Sequence, residues 1–304
     1  MSYSHSPLLP SFSRPASKVA VRRASSYEDD LEGLLWETLL EFNPQVRDKT
    51  VLIKPNFVEP DAQGIINTHP AVIRAARDVF LRLGAKTVVI GEGPGHERDT
   101  EGIIEGLRLR DYIGRLEGVF VDLNTDEVST VPTRTHASKL KKLSLPRSVL
   151  SADFVVSMPK MKTHHWVGAT LSLKNMFGIV PGNCYGWPKN VLHWAGISSS
   201  ILDINSTVRP DFAIVDGIIG MEGNGPIQGV QKKSGVLVMG DDPVAVDATC
   251  ARIMGLCPER IDYLKRAALL LGNLDEDKVE QCGESIAGVK NPFDILPAFQ
   301  GLRA

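Results

Sequence analysis

The chain has 304 residues, a formal net charge of -2 and 43% hydrophobic residues. This length and apolar content are enough to bury a large core, as one large or two moderate domains. The nearly balanced charge argues against broad nucleic-acid binding, which needs a basic surface. No stretch reaches the roughly 18 apolar residues of a membrane span, and the N-terminus lacks the apolar core of a signal peptide. We therefore expect a cytoplasmic protein that binds neither nucleic acid nor membrane.

The cysteines exclude several kinds of site. The four of them contain no Cys-x-x-Cys pair: Cys184, Cys250, Cys257 and Cys282. Their spacing supports neither a zinc site nor a ferredoxin-type cluster, and four cysteines in so long a chain are not a disulfide scaffold. We expect a reducing compartment and no intrinsic iron–sulfur cluster. A divalent metal and a nucleotide-derived cofactor both stay open.

The first third of the chain alternates between strand and helix patterns. Residues 1–16 are rich in Ser and Pro without periodicity, which predicts a loose arm before an α/β domain over 17–304. A strand over 18–22 precedes an amphipathic helix over 27–42. Residues 50–90 predict a strand–helix–strand unit, which requires parallel strands and a right-handed crossover.

The rest of the chain continues this alternation. Further strands are predicted over 119–122, 154–158, 212–217 and 235–239. Further helices are predicted over 100–113, from 197 to 208, from 244 to 253 and over 260–271. The pattern is typical of the α/β class, with a mostly parallel sheet flanked by helices in a Rossmann-like three-layer arrangement.

A dense basic segment follows the strand over 154–158. After Pro159 the chain carries Lys160, Lys162, His164 and His165, and then Lys174 and Asn175. Loops that leave such strands collect ligand-binding groups in α/β folds, so we expect this loop to bind an anion. Two simpler alternatives are a solvated basic loop and a loop that docks an acidic protein partner.

Polar residues also follow the other predicted strands, at the edge where ligands bind in open α/β sheets. The expected ligand-binding residues are Lys54, Asn56, His69, Glu92, Gly93, Lys160, Lys162, His165, Asn175, Asp216, Gly223 and Gly225. Glu92, Asp216 and Asp242 are weak candidates for a divalent cation, which prefers oxygen ligands. For Asp242 we expect a helix cap in preference to metal binding, and a solvated strand end is the alternative for Asp216.

Lys174 and His164 are the candidates for catalysis. A lysine in a partly desolvated pocket has a lowered pKa, which suits general-base or Schiff-base chemistry, although a lysine can also extend from a helix into water. Histidine titrates near neutral pH and can act as acid, base or metal ligand. Because neighbours on a strand point to opposite faces, we expect only one of His164 and His165 to serve the site.

The order of several motifs resembles the domain of unknown function 362 family over about residues 50–255. These motifs are Ile53-Lys54-Pro55-Asn56, Thr68-His69-Pro70, Gly91-Glu92-Gly93-Pro94, Pro159-Lys160-Met161-Lys162-Thr163-His164, Leu173-Lys174-Asn175, Asp216-Gly217, Gly223 to Pro226 and Gly240-Asp241-Asp242-Pro243. The resemblance implies little about activity, because the family is largely uncharacterised. Some relatives are fused to ferredoxin-type modules, which implies a ferredoxin-type partner if this chain does redox chemistry.

A second resemblance, at the level of the fold, is to the nickel-pincer lactate racemase family. It rests on His164 followed ten residues later by Lys174 within an apolar, Gly-containing segment. The resemblance implies that the lysine holds a pyridinium-derived cofactor and that the histidine serves the metal or the substrate proton.

Two hypotheses follow from these patterns. In the first, the chain is an enzyme that acts on a small anionic substrate by proton or hydride transfer, as an isomerase, a racemase or an oxidoreductase. Lys174 and His164 would carry the chemistry, and Lys54, Lys160 and Lys162 would anchor the anion. In the second, the chain is a non-catalytic binding or accessory protein for an anionic cofactor or an iron–sulfur partner.

Overall fold

The computed structural model describes residues 14–61, 63–95 and 99–304. Its strands are β1 Ser17–Arg23, β2 Thr50–Pro55, β3 Thr87–Glu92, β4 Phe120–Asp122, β5 Val128–Pro132, β6 Lys142–Pro146, β7 Phe154–Met158, β8 Lys160–His164, β9 Gly168–Thr170, β10 Phe212–Asn224, β11 Gln228–Gly240 and β12 Val279–Gly283. Its α-helices are α1 Leu31–Phe42, α2 Pro70–Arg82, α3 Thr100–Gly106, α4 Leu109–Ile113, α5 Arg147–Leu150, α6 Ser172–Asn175, α7 Gly182–Tyr185, α8 Asn190–Trp194, α9 Ile197–Thr207, α10 Pro243–Ile253, α11 Asp262–Ala268 and α12 Ile286–Val289. Short 3-10 helices cover Met176–Ile179, Pro258–Arg260, Glu276–Lys278 and Pro297–Leu302.

The predicted N-terminal arm lies mostly outside the described residues, which begin at Arg14. The Arg14 guanidinium donates to the main-chain oxygens of Ala268 and Gly272, at 2.6 and 2.7 Å. This contact holds the start of the described chain against the end of α11.

One large sheet organises the fold. Its strand order is β12-β1-β11-β10-β7-β2-β3-β4, with β8 beside β10 and β9 beside β8. Pairing is parallel from β10 through β7, β2 and β3 to β4, between β8 and β10, and between β1 and β12. It is antiparallel where β11 joins β1 and β10, and between β8 and β9. The predicted α/β class with a mostly parallel sheet is confirmed.

Helices pack on both faces of this sheet. Adjacent strand residues point to opposite faces, so Leu52 joins one apolar cluster and Ile53 joins the other. The first cluster includes Val246 of α10, and the second includes Val72 of α2. Complete burial of such side chains stabilises the fold by about 1.5–3 kcal/mol each. The predicted three-layer arrangement is therefore confirmed.

The basic segment after Pro159 is a strand, and the expectation of a loop there is wrong. The long strand β10 pairs first with β7, through Phe212 and Ala213, and then with β8, through Asp216 and Met221. Pro159 interrupts the ladder without ending it, because β10 continues past the break. All five residues of β8 are buried.

Two predicted helix limits also differ from the structure. The helix expected over 27–42 begins at Leu31, because the Asp30 side chain caps it and accepts from Gly33 N at 2.9 Å. The helix expected over 100–113 is two helices, since Arg108 between them adopts a left-handed conformation with φ of 54°.

Asp242 caps α10, as predicted. Its Oδ1 accepts from Val244 N at 2.9 Å and Ala245 N at 3.2 Å. Its Oδ2 accepts from Ser17 Oγ at 2.5 Å and Asn273 N at 2.8 Å. One buried carboxylate therefore joins β1, α10 and the segment after α11.

Removal of this carboxylate should destabilise the fold. We expect Asp242→Ala to lower the free energy of unfolding by about 2–4 kcal/mol, because a helix cap is lost and buried donors lose their acceptor. Urea denaturation followed by circular dichroism measures the change. The neighbouring exposed Asp241 is the control, and Asp241→Ala should stay within about 0.5 kcal/mol of the wild type. Equal effects of the two substitutions would contradict the capping role.

Candidate functional site

A cavity of about 580 Å³ opens where β2, β3 and β8 end and α6 begins. Its described wall is strongly cationic, and Glu92 is the single carboxylate in it. The basic side chains of this wall are Lys54, Lys162, Lys174, Lys189, His164, His165 and His193.

The cavity unites nine of the predicted site residues. They are Lys54, Asn56, Glu92, Gly93, Lys162, His164, His165, Lys174 and Asn175. The other predicted ligand-binding residues lie outside the wall, and they are His69, Lys160, Asp216, Gly223 and Gly225. The metal candidate Asp242 also lies outside it. The residues that come together belong to the parallel strands and to α6, whose ends share one edge of the sheet.

Lys54 and Glu92 form a buried ion pair at the base of the cavity. Lys54 Nζ lies 2.8 Å from Glu92 Oε2, and each side chain is 1% exposed. Lys54 Nζ also donates to Asn175 Oδ1 at 3.0 Å and to Pro55 O at 2.8 Å. Burial lowers the pKa of Lys54, and the Glu92 carboxylate opposes that shift. The pair fixes β2, β3 and α6 to one another.

Gly178 lets the main chain approach this ion pair. A Cβ atom at position 178 would lie 2.5 Å from both Glu92 Oε1 and Lys54 Cε, and still closer to Lys54 Nζ. These atoms have little room to move, because Glu92 also accepts from Phe57 N and Gly93 N at 2.8 Å each. A side chain is therefore excluded at this position.

Lys174 is the least constrained cation of the wall. Its ammonium lies 4.2 Å from the centre of the Phe177 ring. Within the part of the chain that the structure describes, it has no hydrogen-bond or ion-pair partner. Burial, with a smaller contribution from Lys54, lowers the pKa of Lys174 to about 8. About a tenth of this amine is therefore neutral at pH 7, and about half of it at pH 8.

The helix that carries Lys174 is held from beneath by a buried carboxylate. Asp247 Oδ1 accepts from Ser172 N at 2.7 Å, and Oδ2 accepts from Leu173 N at 3.0 Å. Burial raises the pKa of Asp247 to about 7, while these hydrogen bonds oppose the shift. The carboxylate thus satisfies the first donors of α6 and fixes its position on α10.

Both histidines of the pair line the cavity, so the two side chains do not point to opposite faces as expected. The strand ends at His164, and the alternation of side chains does not extend to His165. His164 Nδ1 accepts from Trp166 N at 3.0 Å, and burial lowers the pKa of His164 well below its usual value. His164 is therefore a neutral imidazole with its proton on Nε2. His165 Nδ1 lies 2.7 Å from Gly225 O, to which it donates.

Lys160 and Asp216 form a second buried ion pair, away from the cavity. Lys160 Nζ lies 2.7 Å from Asp216 Oδ2 and 2.8 Å from the Tyr27 hydroxyl. His69 stacks on the Tyr27 ring at 3.7 Å between centroids, and it caps α2 by accepting from Ala71 N at 3.2 Å. Burial lowers the pKa of His69 to about 4. Asp216 was expected at a strand end, but β10 continues for eight residues beyond it.

The predicted ligand loop around Gly223 and Gly225 is the end of β10 and its hairpin turn. Gly223 O accepts from Thr163 Oγ1 at 2.9 Å, and Gly225 O accepts from His165 N at 2.9 Å. These glycines contribute main-chain acceptors that brace the end of β8. Their neighbours Asn224 and Pro226 line the cavity instead.

The three metal candidates lie in three separate hydrogen-bond networks. Glu92 pairs with Lys54, Asp216 pairs with Lys160, and Asp242 caps α10. Asp242 follows the carboxyl end of β11. Because β11 runs antiparallel to β10, Asp242 lies at the end of the strands opposite to the cavity. Among the described residues, no group of three His, Cys, Asp or Glu side chains has the arrangement of a metal site.

Sequence reasoning missed Lys189, His193 and Thr170, which all line the cavity. The Lys189 ammonium donates to Gly93 O at 2.7 Å and to two further main-chain oxygens, and burial lowers its pKa to about 7. The signal that could have indicated this segment is the lysine between Trp187-Pro188 and an apolar stretch.

Comparison with known sequences reveals a matching family model. The model described as domain of unknown function (DUF362) matches residues 51–252. A thylakoid-associated protein of Synechocystis sp. is 28% identical over 257 residues, which cover 80% of this chain and 76% of that protein. In the described residues, no helix combines the length and the apolar character required to cross a bilayer.

Solved structures are similar at the level of the fold. The lactate racemase apoprotein of Thermoanaerobacterium thermosaccharolyticum has a TM-score of 0.50 and 14% sequence identity over 79% of this chain. This chain spans 58% of the length of that structure. A protein of Thermotoga maritima has a TM-score of 0.40 and 14% identity, with coverage of 75% of this chain and 59% of its own. The predicted fold-level resemblance to lactate racemase is confirmed.

The close approach at Gly178 predicts a large difference between two glycines of the wall. We expect Gly178→Ala to lower the free energy of unfolding by about 1–3 kcal/mol, because the added methyl group forces the Lys54–Glu92 pair apart. Among the described residues, no atom lies within 4 Å of a Cβ added at Gly95, so Gly95→Ala should change the free energy of unfolding by less than about 1 kcal/mol. Denaturation midpoints of the two variants, measured side by side, check this order.

Proposed function

Because this chain belongs to the domain of unknown function 362 family and shares a fold with lactate racemase, we propose that it is an enzyme that binds a small organic anion and transfers a proton on it, in a racemase-like reaction. One observation carries the proposal. Lys174 has a pKa of about 8, lies in the wall of a cationic cavity, and has no polar partner in the described chain. An amine with this pKa is present in both its neutral and its protonated form near neutral pH, and a general base needs both.

The other groups of the wall have complementary roles in this proposal. The neutral Lys174 amine removes the proton from the carbon next to the substrate carboxylate. His164 donates a hydrogen bond from Nε2–H to the substrate oxygen on which negative charge grows. Lys162 has no carboxylate partner among the described residues, so its charge attracts the anion and stabilises that developing charge.

A second candidate is hydride transfer with a lysine-attached, nickel-bearing pyridinium-derived cofactor, which the racemase resemblance implies. Lys174 and His164 fit such a group, because an unpartnered lysine of lowered pKa and a neutral histidine line the same cavity. Lys174 would hold the cofactor and His164 would serve its metal. When bound, the cofactor would supply a hydride acceptor. Intact mass of the denatured protein, together with nickel analysis, distinguishes this candidate from a free lysine base.

A non-catalytic accessory role is the remaining alternative. It predicts an anion that copurifies with the protein, as seen by native mass spectrometry, with no turnover.

A ferredoxin-type protein is the proposed electron source if the reaction is a reduction. We propose a cytoplasmic location, because the four cysteines are free. The Synechocystis relative is described as thylakoid-associated, so cell fractionation is the test that distinguishes the two locations.

Loss of the Lys174 amine should abolish proton transfer. We expect Lys174→Ala to lower the rate of deuterium exchange at the α-carbon of α-hydroxy acids by at least about 100-fold, because general-base catalysis contributes that much. Proton NMR in deuterated buffer measures the exchange over a panel of acids. Lys265 is exposed on α11, so Lys265→Ala should keep the wild-type rate. Wild-type exchange by Lys174→Ala would remove this lysine from the mechanism.

The pH profile should report the same group. A general base acts in its deprotonated form, so the exchange rate should rise with pH and level off above the pKa of Lys174, about 8. Below that pKa the rate should fall by about tenfold for each pH unit. His164 stays neutral in this range, because its pKa lies well below the usual value. A pH-independent rate between pH 6 and 9 would contradict the assignment.

A further inference from the structure

Lys162 and Thr170 form a polar pair in the cavity wall, separate from Lys174. They are directly opposite each other in the antiparallel ladder between β8 and β9. Residues in this relation have Cβ atoms about 4.5–5.5 Å apart and share one face of the sheet. Both side chains are more than nine-tenths buried, and both line the cavity.

The hydrogen bonds of this pair are incomplete. An ammonium has three donors, and Lys162 uses one at 2.8 Å to Ile66 O and a second, at 3.5 Å, to Pro226 O. No carboxylate pairs with Lys162 in the described chain. Thr170 Oγ1 is buried and has no hydrogen-bond partner among the described residues. A buried hydroxyl without a partner destabilises the protein, so a ligand that supplies an acceptor for it is favoured.

The charge balance of the wall points the same way. Glu92 neutralises Lys54, and three main-chain oxygens occupy the donors of Lys189. Lys162 and Lys174 are then left with spare donors and no anion. Burial, followed by the charges of Lys160, Lys174 and Lys54, holds the pKa of Lys162 well below its usual value. A negative group at Lys162 would offset both the burial and this repulsion.

We propose that the substrate of this cavity is a doubly anionic hydroxy acid, whose α-carbon lies at the Lys174 amine and whose second anionic group is held by Lys162 and Thr170. The placement of the α-carbon rests on the proposed function. The second group is a carboxylate or a phosphate, since either accepts from an ammonium and a hydroxyl. Asn56 Oδ1 is a third buried atom of the wall without a partner, and it accepts the substrate hydroxyl.

The size of the cavity agrees with such a substrate. Its volume of about 580 Å³ exceeds what a three-carbon monocarboxylate fills. Pockets of about 300–1,000 Å³ bind ligands of considerably larger size. The likeness to lactate racemase is thus a likeness of fold, and the substrate of this chain is larger and carries more charge than lactate.

The test compares ligands of one and two negative groups. Isothermal titration calorimetry with lactate, tartrate and phosphoglycerate measures affinity for the wild type, and tartrate and phosphoglycerate distinguish a second carboxylate from a phosphate. We expect at least one of the two doubly anionic acids to bind about tenfold or more tightly than lactate. Equal affinity for all three, or no binding of either doubly anionic acid, would overturn the inference.

Thr170→Val is the decisive variant, because it removes a hydroxyl that the protein itself does not use. Its denaturation midpoint should equal or exceed that of the wild type, whereas the preference for two negative groups should fall about tenfold. Thr130 is exposed on β5, so Thr130→Val is the matched control and should keep the preference. Lys162→Met should remove the preference as well. A full preference in folded Thr170→Val would exclude Thr170 and overturn the site.

Binding and turnover separate this inference from the proposed function. A preference for two negative groups that depends on Thr170, without α-proton exchange, would reject the proposed reaction and support the site. Exchange that depends on Lys174, with equal use of lactate and doubly anionic acids, would support the reaction and reject the site.

Discussion

The buried ion pair between Lys54 and Glu92 is the constraint on which the rest of the site depends. Both groups lose their hydration, so the pair is stable only because further hydrogen bonds complete it. Asn175 supplies one of these bonds, which ties the helix of Lys174 to the sheet. Gly178 supplies the space that the pair requires. A substitution at any of these positions should therefore displace α6 and, with it, the Lys174 side chain.

The same physical reasoning applies on the other side of the cavity. The strand β8 carries Lys160, Lys162 and His164 at alternate positions, so all three point to one face. Lys160 pairs with the Asp216 carboxylate, but the partners of Lys162 in the described part of the chain are main-chain oxygens. This difference separates a structural ion pair from a lysine that can bind a ligand. This difference follows from the pairing of β8 with β10. Asp216 of β10 lies opposite Lys160, whereas the apolar Met221 lies opposite Lys162.

The site gathers basic side chains in a wall that is largely buried. Burial lowers the pKa of Lys174 to about 8 and of Lys189 to about 7, and it keeps His164 neutral. The lowered pKa of Lys174 suits a general base, and a neutral His164 can donate a hydrogen bond to the anion. The buried Asp247 carboxylate accepts from the first two residues of α6 and so fixes the helix that carries Lys174.

The sequence by itself determined the α/β class, the alternation of strands and helices, the family and much of the cavity wall. Local periodicity specifies which residues are buried in each element, and parallel strands bring their carboxyl ends to one edge. It could therefore place Lys54, Glu92, His164 and Lys174 together. Tertiary structure decided the rest. Whether the chain after Pro159 pairs depends on the length of β10, some 50 residues away, and the direction of β11 removes Asp242 from the site. Which lysine has a carboxylate partner likewise depends on contacts between distant segments, and no local pattern encodes them.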